Sequence, residues 1–416
     1  MQSLRSLTAR SPSVATRCLA SSLALAFLTG CGTSAAPTGS TLTPGIDAFS
    51  RGAEVLAWTQ AQRVRGFQKM DSIFPSNLIR RGSAVRELAV GTPLPGLAAG
   101  GDGERMLNEF IASQQVAGLL VIQDGRIRLE RYALGFTASS RWTSFSVAKS
   151  LTSVLVGAAI KDGQIAGLDA FVTQYIPELR GTAYEGVTVR HLLTMTSGIA
   201  WNENYTDPNS DIIRFSRYQP VPGLDANVGF VRTLRREAPA GTRWVYKTPE
   251  TNLLGTLVIA ATGKPLATYL SEKIWAPYGM DRDATWLVDH IGHEQGGCCI
   301  QASLRDFGRI GQFMLDGGLV NGQSVVPAGW LEASTRKQFD IGVAGSGYGY
   351  QWWTNDTGSF EARGLYGQLV HVDPARKLVV VITGSWGIPS GGEPQTLQRA
   401  LVASLAAALD SEAAGR

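Results

Sequence analysis

The sequence predicts an α/β fold of the α+β kind: one α/β domain assembled from both ends of the chain, with a helical domain inserted in the middle. Three observations predict it. Two strand-like runs adjoin between residues 118 and 132, and further β-rich runs return between 348 and 383. Between these groups, apolar residues recur at helical rather than alternating spacing.

In chain order, the first residues read as an address. Arg5, Arg10 and Arg17 precede an apolar stretch from Leu19 to Phe27, and no acidic residue occurs before Asp47. That stretch is too short for a membrane span. It ends in Leu28-Thr29-Gly30-Cys31, which resembles a bacterial lipobox, so Cys31 is the expected lipidation site. The Gly/Ser/Thr/Pro-rich segment that follows reads as a flexible tether. Residues 1–31 are thus a lipoprotein signal peptide and 32–49 a tether, giving an exported protein held on a bacterial envelope membrane by its lipid anchor.

The globular part begins near residue 50. Ala53 to Met70 has roughly helical period, and Phe74-Pro75 ends it. Thr92 to Gly103 is a Gly/Pro-rich loop, and Glu104 to Gln114 an amphipathic helix with Met106, Phe110 and Ile111 on one side. Gly118 to Gly125 is a strand entering an Asp-Gly turn, and Arg126 to Tyr132 its partner, Ile127 and Leu129 alternating with charged residues. Val147, Leu151, Val154, Leu155 and Ala158 mark the clearest helix, which Asp162-Gly163 stops. Helices are expected over 187–195, 211–218, 251–262 and 265–275. Strands are expected over 348–354, 367–372 and 378–383, and a last helix over 394–409. Residues 50–163 and 296–416 therefore form the α/β domain and 164–295 the helical one.

Composition narrows the function. Among 416 residues, 38 basic against 34 acidic side chains give +4, with no Lys/Arg block, which disfavours nucleic-acid binding. Cys298 and Cys299 are neighbours that could bridge only through a strained eight-membered ring, so they are expected as buried small residues. His290 and His293 lie near them but match no zinc spacing; neither a metal nor a cofactor is expected.

Ser146-Val147-Ala148-Lys149 carries the chemistry. At a helix start, positions i and i+3 share a face, so the hydroxyl and amine can exchange a proton. A partly desolvated Lys can accept the Ser proton and activate a weak nucleophile. The helix N-terminus adds free N–H groups that favour a bound oxyanion. Ser-x-x-Lys alone is weak, since about one match is expected by chance in such a length. Ser334-Thr335-Arg336-Lys337 also fits, but it lies in a polar stretch and reads as surface.

Ser144 to Ser153, followed by Val189-Arg190-His191-Leu192-Leu193-Thr194-Met195-Thr196-Ser197-Gly198, resembles the class C β-lactamase and penicillin-binding-protein superfamily. Within it, the pattern is most like the 6-aminohexanoate-dimer hydrolases and their esterase relatives, over roughly residues 50 to 410. The resemblance implies a β-lactamase/transpeptidase-like fold, an antiparallel sheet flanked by helices with an inserted all-helical domain. It also implies that Tyr246 is a catalytic proton carrier within a Tyr-x-Asn motif, although Thr248 stands in place of the Asn. The Lys-Thr-Gly motif is missing, and Ala362 to Gln368 resembles the Gly-x-x-Gly-Gln variant. On that mapping the backbone amides of Ser146 and Leu365 form the oxyanion hole, and Gly364 lets its strand approach. Trp201-Asn202-Glu203-Asn204-Tyr205 matches a loop whose aromatic residue closes over substrate, which implies substrate-binding roles for Tyr205, Thr248 and Gly364.

The expectation is a serine hydrolase that cleaves a small-molecule amide or ester through an acyl-enzyme on Ser146, with Lys149 and Tyr246 moving protons. A Ser-His-Asp hydrolase would want Gly-x-Ser-x-Gly, which is missing, and the four His residues show no paired context. A true β-lactamase or D-alanyl-D-alanine carboxypeptidase is the nearer alternative. A non-catalytic envelope sensor is the alternative of another class.

Overall fold

A computed structural model describes residues 52–97 and 101–415. Cys31, the signal segment and the tether lie outside the described residues. Nine strands form the main sheet and are numbered along the chain: β1 Ala89–Val90, β2 Val116–Gln123, β3 Arg126–Tyr132, β4 Phe339–Asp340, β5 Ser346–Tyr348, β6 Trp353–Asn355, β7 Phe360–Gly364, β8 Gln368–Asp373 and β9 Leu378–Gly384. Their order across the sheet is β4-β5-β6-β7-β8-β9-β2-β3-β1. The C-terminal strands run as an antiparallel meander, and β9 then pairs antiparallel with β2, Val380 opposite Val121. This one seam makes a single sheet of the two ends of the chain. The only parallel pairing among the described strands is at the edge, where Ala89 faces Arg126.

β2 explains its own sequence. It is buried along nearly its whole length because both faces are covered. Leu119 and Val121 point to the layer containing Leu107, Ile111, Leu401 and Leu405, whereas Leu120 and Ile122 point to the larger core. Five longer helices matter here: α1 Asp102–Ser113, α2 Ala148–Lys161, α3 Thr248–Thr262, α4 Leu304–Leu315 and α5 Gly392–Ala414. α1 and α5 cover one face, and α4 packs on the other against β2, β8 and β9.

Several expectations shift in detail. The 348–354 run is two strands, β5 and β6, joined by a tight turn in which Gln351 has a φ of 64°. The period over 53–70 is broken into three short helices, Gly52–Ala57, Gln60–Phe67 and Met70–Ile73. On α1 it is Leu107, not Met106, that enters the core beside Ile111. Arg128 breaks the alternation of β3: it is buried and paired with Glu412 of α5 at 2.6 Å. Within 164–295, the described residues supply helices and loops and one strand, Ala284–Leu287.

That strand belongs to a second sheet whose order is Ser76–Ile79, Ala284–Leu287, Ile300–Ala302, Trp142–Thr143. Its last two strands bring two distant segments side by side. Ser144 N donates to Ile300 O at 2.8 Å, and Cys299 N donates to Phe145 O at 3.1 Å. The turn carrying Ser146 is thereby fixed against the loop 296–299.

Candidate active site

Ser146 sits in a 3-10 turn, Phe145–Val147, that leads directly into α2. α2 is buried on every side from Ala148 to Ala159, so its polar residues need internal partners. Ser150 Oγ donates to Gln351 O and Thr152 Oγ1 to Gly296 O, each at 2.7 Å. Lys149, 1% exposed, has the same need. Its Nζ donates to Ser146 Oγ at 3.3 Å, Thr248 Oγ1 at 3.1 Å and Gly297 O at 2.6 Å. Burial lowers its pKa to about 7, against the Glu203 carboxylate, which raises it. Ser146 itself is only partly covered and faces a pocket.

Tyr246 lies over this pair, with Lys149 Nζ 5.3 Å from its ring centroid. Trp353 stacks on the Tyr246 ring at 5.4 Å, and Tyr348 meets it edge-on at 6.3 Å. Enclosure, and after it the Glu203 charge, push the phenol well above its ordinary range, opposed by a hydrogen bond to Ser146. The two titratable groups are therefore driven apart, the amine down and the phenol up.

Thr248, at the start of α3, accepts from Lys149 in the place where the family pattern has Asn. Asn252, one turn further along α3, accepts from Gly297 N at 2.7 Å and so fixes the carbonyl that Lys149 uses. A side chain at Gly297 would put its Cβ 2.8 Å from Thr248 O and 3.0 Å from Lys149 Nζ, so only glycine fits. Gly364, at the end of β7, approaches the turn that carries Ser146 more closely still. A Cβ there would overlap the Ser144 carbonyl oxygen and lie 3.1 Å from Phe145 Cβ. Leu365, next to it, lines the same pocket as Ser146. Three non-glycine residues around this point hold left-handed φ values: Phe145 at 44°, Cys299 at 76° and Tyr366 at 59°. Such strain persists where surrounding packing over-determines it.

The pocket has a volume of about 140 Å³ and walls from Val55, Met70, Phe74, Ile212, Phe215 and Leu287. Tyr205 and Thr248 also line it, and among the described residues that line it none carries a charge. Tyr205 donates to Glu203 at 2.6 Å.

Ser146, Tyr205, Thr248 and Leu365 thus line one cavity, with Lys149 hydrogen-bonded to Ser146 and Thr248, Tyr246 beside Lys149, and Gly364 against the turn that carries Ser146. Three other sequence expectations need correction. Cys298 and Cys299 are paired as a disulfide in the pocket wall, not separate small residues. The left-handed Cys299, with Cys298 N tied to Gln295 O and Cys299 N to Phe145 O, folds the chain so that the neighbouring sulfurs meet. Two His residues do have carboxylate partners, His293 with Asp225 and His371 with Glu361, each at 2.9 Å. The sequence concealed both pairs because the partners are distant along the chain or on adjacent strands; those carboxylates also bind Thr256 and Arg363. Of the second Ser-x-x-Lys, Lys337 pairs with Asp356, but Ser334 is buried and donates to Trp330 O. No group of three or more His, Cys, Asp or Glu among the described residues is arranged to hold a metal.

Residues 104–404 match the Beta-lactamase family model. The chain is 30% identical over 383 residues to a 6-aminohexanoate-dimer hydrolase from Paenarthrobacter ureafaciens, an alignment covering 85% of this chain and 94% of the relative. It is 33% identical over 146 residues to the esterase EstB of Burkholderia gladioli, covering 32% of this chain and 36% of that protein. A solved structure from Bacillus anthracis, assigned by name only as a 6-aminohexanoate-dimer hydrolase, superposes with a TM-score of 0.70 at 23% identity. That superposition spans 84% of this chain and 93% of the other and shows a shared fold. Family match and full-length relative agree: the chain belongs to the Beta-lactamase family and is a serine hydrolase of its amide- and ester-cleaving kind.

Proposed function

We propose that the protein hydrolyses uncharged, apolar esters or amides through an acyl-enzyme on Ser146. The observation that carries this reading is the buried amine of Lys149, 3.3 Å from the Oγ of Ser146, which itself faces a largely apolar pocket with no charged side chain among its lining residues. Lys149, with a pKa near 7, is neutral often enough at physiological pH to take the Ser146 proton. Ser146 Oγ then bonds to the substrate carbonyl carbon, and the amides of Ser146 and Leu365 receive the oxyanion. The phenol of Tyr246 keeps its proton at neutral pH and so acts as the acid for the leaving alkoxide or amine. Collapse of the tetrahedral intermediate breaks the bond to that group and leaves the acyl-serine. Water attacks next and gives a proton to the Tyr246 phenolate, while the Lys149 ammonium returns its proton to Ser146 Oγ, so the acid product is released and every group regains its starting protonation state.

The pocket disfavours the charged alternatives. A β-lactam brings a carboxylate, and a 6-aminohexanoate dimer an ammonium and a carboxylate, whereas the lining offers no charge to meet either. A p-nitrophenyl ester series tests the reading. Each added methylene from acetate to hexanoate should raise kcat/KM by about fourfold, the equivalent of ~0.8 kcal/mol of apolar burial. A chromogenic cephalosporin should turn over far more slowly. A flat series with fast cephalosporin hydrolysis would instead make this a β-lactamase.

A further inference from the structure

The loop residue Glu203 is half-buried, and its carboxylate turns inward. Its Oε1 accepts from Tyr205 at 2.6 Å and from the Thr248 hydroxyl, and its Oε2 accepts from Thr248 N at 3.1 Å and from Trp201 Nε1. Four donors thus occupy the four lone-pair directions of the carboxylate. It sits at the first turn of α3, where the helix end favours negative charge. No part of the mechanism above uses it.

Its consequence lies in counting protons. A threonine hydroxyl has one hydrogen, and an ionised carboxylate can only accept. The Thr248 hydrogen is therefore committed to Glu203, which leaves Thr248 Oγ1 able only to accept from Lys149. Gly297 O, a carbonyl, can likewise only accept. When Lys149 loses a proton, it keeps two N–H bonds and gains one lone pair. Thr248 and Gly297 take the two N–H bonds, and only the Ser146 hydroxyl can supply a proton to the lone pair.

We propose that Glu203 is a positioning residue that, by holding the Thr248 hydroxyl proton, aims the Lys149 lone pair at Ser146. The inference rests on Lys149 being the base of the proposed reaction. It also accounts for the substitution in the family's Tyr-x-Asn pattern: a hydroxyl in place of the amide makes the carboxylate behind it part of the site. The groups around Lys149 are few. The 3-10 turn before α2 contributes Ser146, and α3 contributes Thr248 and Asn252. The preceding loop contributes Tyr246, and the 201–205 loop Glu203 and Tyr205. The 296–299 loop contributes Gly297 and the Cys298–Cys299 disulfide. Glu203 is the carboxylate whose charge acts on Lys149.

The test is the pH dependence of ester kcat/KM in wild type, Glu203→Gln, Thr248→Val and Thr248→Ser. Glutamine can donate its amide to Thr248 Oγ1 and turn the Thr248 hydrogen toward the lone pair, so kcat should fall about 10- to 100-fold. Loss of the negative charge should also move the acid limb down by about one pH unit, a shift that a merely structural role would not produce. Thr248→Val should move the limb in the same direction, and Thr248→Ser should return it to its wild-type position. Should Glu203→Gln fail to fold, the valine and serine pair decides alone. A limb that stays in place in every folded variant overturns the role of Glu203. If Lys149→Ala keeps the wild-type limb, the base assignment itself falls, and the inference falls with it.

Discussion

At the scale of single residues, the proposed mechanism rests on one environment that shifts two titratable groups in opposite directions. Lys149 is dry and loses charge readily; Tyr246, enclosed by Tyr348 and Trp353 and close to a carboxylate, holds its proton. The sign of the pH dependence follows. Protonated Lys149 cannot accept from Ser146, so ester kcat/KM should rise with pH through an apparent pKa of about 7 and then level off. Tyr246→Phe should lower turnover by about 100-fold or more. Labelling of Ser146 by a fluorophosphonate should fall much less, because departing fluoride needs no proton. Equal losses in both assays would place Tyr246 on the attack step instead. Ser146, Lys149 and Tyr246 were legible in the sequence because a fixed helical spacing and a recognisable motif carry them. Glu203, Asn252 and Gly297 were not, because nothing in the chain order shows that separate loops and helices converge on one amine.

Elements position these residues by close approach of backbones. The end of β7 touches the turn that carries Ser146 where Gly364 meets Ser144, and Leu365 is carried into the pocket by that contact. Gly364→Ala should push strand and turn apart and so misplace one oxyanion donor. The expected result is a fall in kcat of about 100-fold and a loss of about 1–3 kcal/mol in stability from overpacking, read from steady-state kinetics and thermal melts. A kcat close to wild type would mean that the Leu365 amide does not hold the oxyanion. At this scale, long periodic segments were readable: α2, α3, α5, β2 and β9 fall close to their expected places. Short elements were not. Trp142–Thr143 and Ile300–Ala302 are too brief to show alternation, yet their pairing fixes Ser146 against the 296–299 loop. The buried Arg128 was equally invisible, since its partner Glu412 lies 284 residues away.

For the whole molecule, the pairing of β9 with β2 explains why strand-like sequence is found at both ends of the chain. The pocket draws its walls from the helix at Gly52–Ala57, the segment 205–216 and the strand at Ala284–Leu287, so its apolar character is a property of the assembled fold rather than of any one motif. Sequence pattern reached the family and the Ser146–Lys149 pair; the apolar lining of the pocket beside them required the fold. The most direct measurement is intact-protein mass spectrometry of the full chain after treatment with a fluorophosphonate, in wild type, Ser146→Ala and Lys149→Ala. A Ser146 nucleophile activated by Lys149 requires a single adduct on Ser146 in wild type, none in Ser146→Ala, and labelling slowed by orders of magnitude in Lys149→Ala. An unlabelled wild type, or an adduct that persists without Ser146, would contradict it.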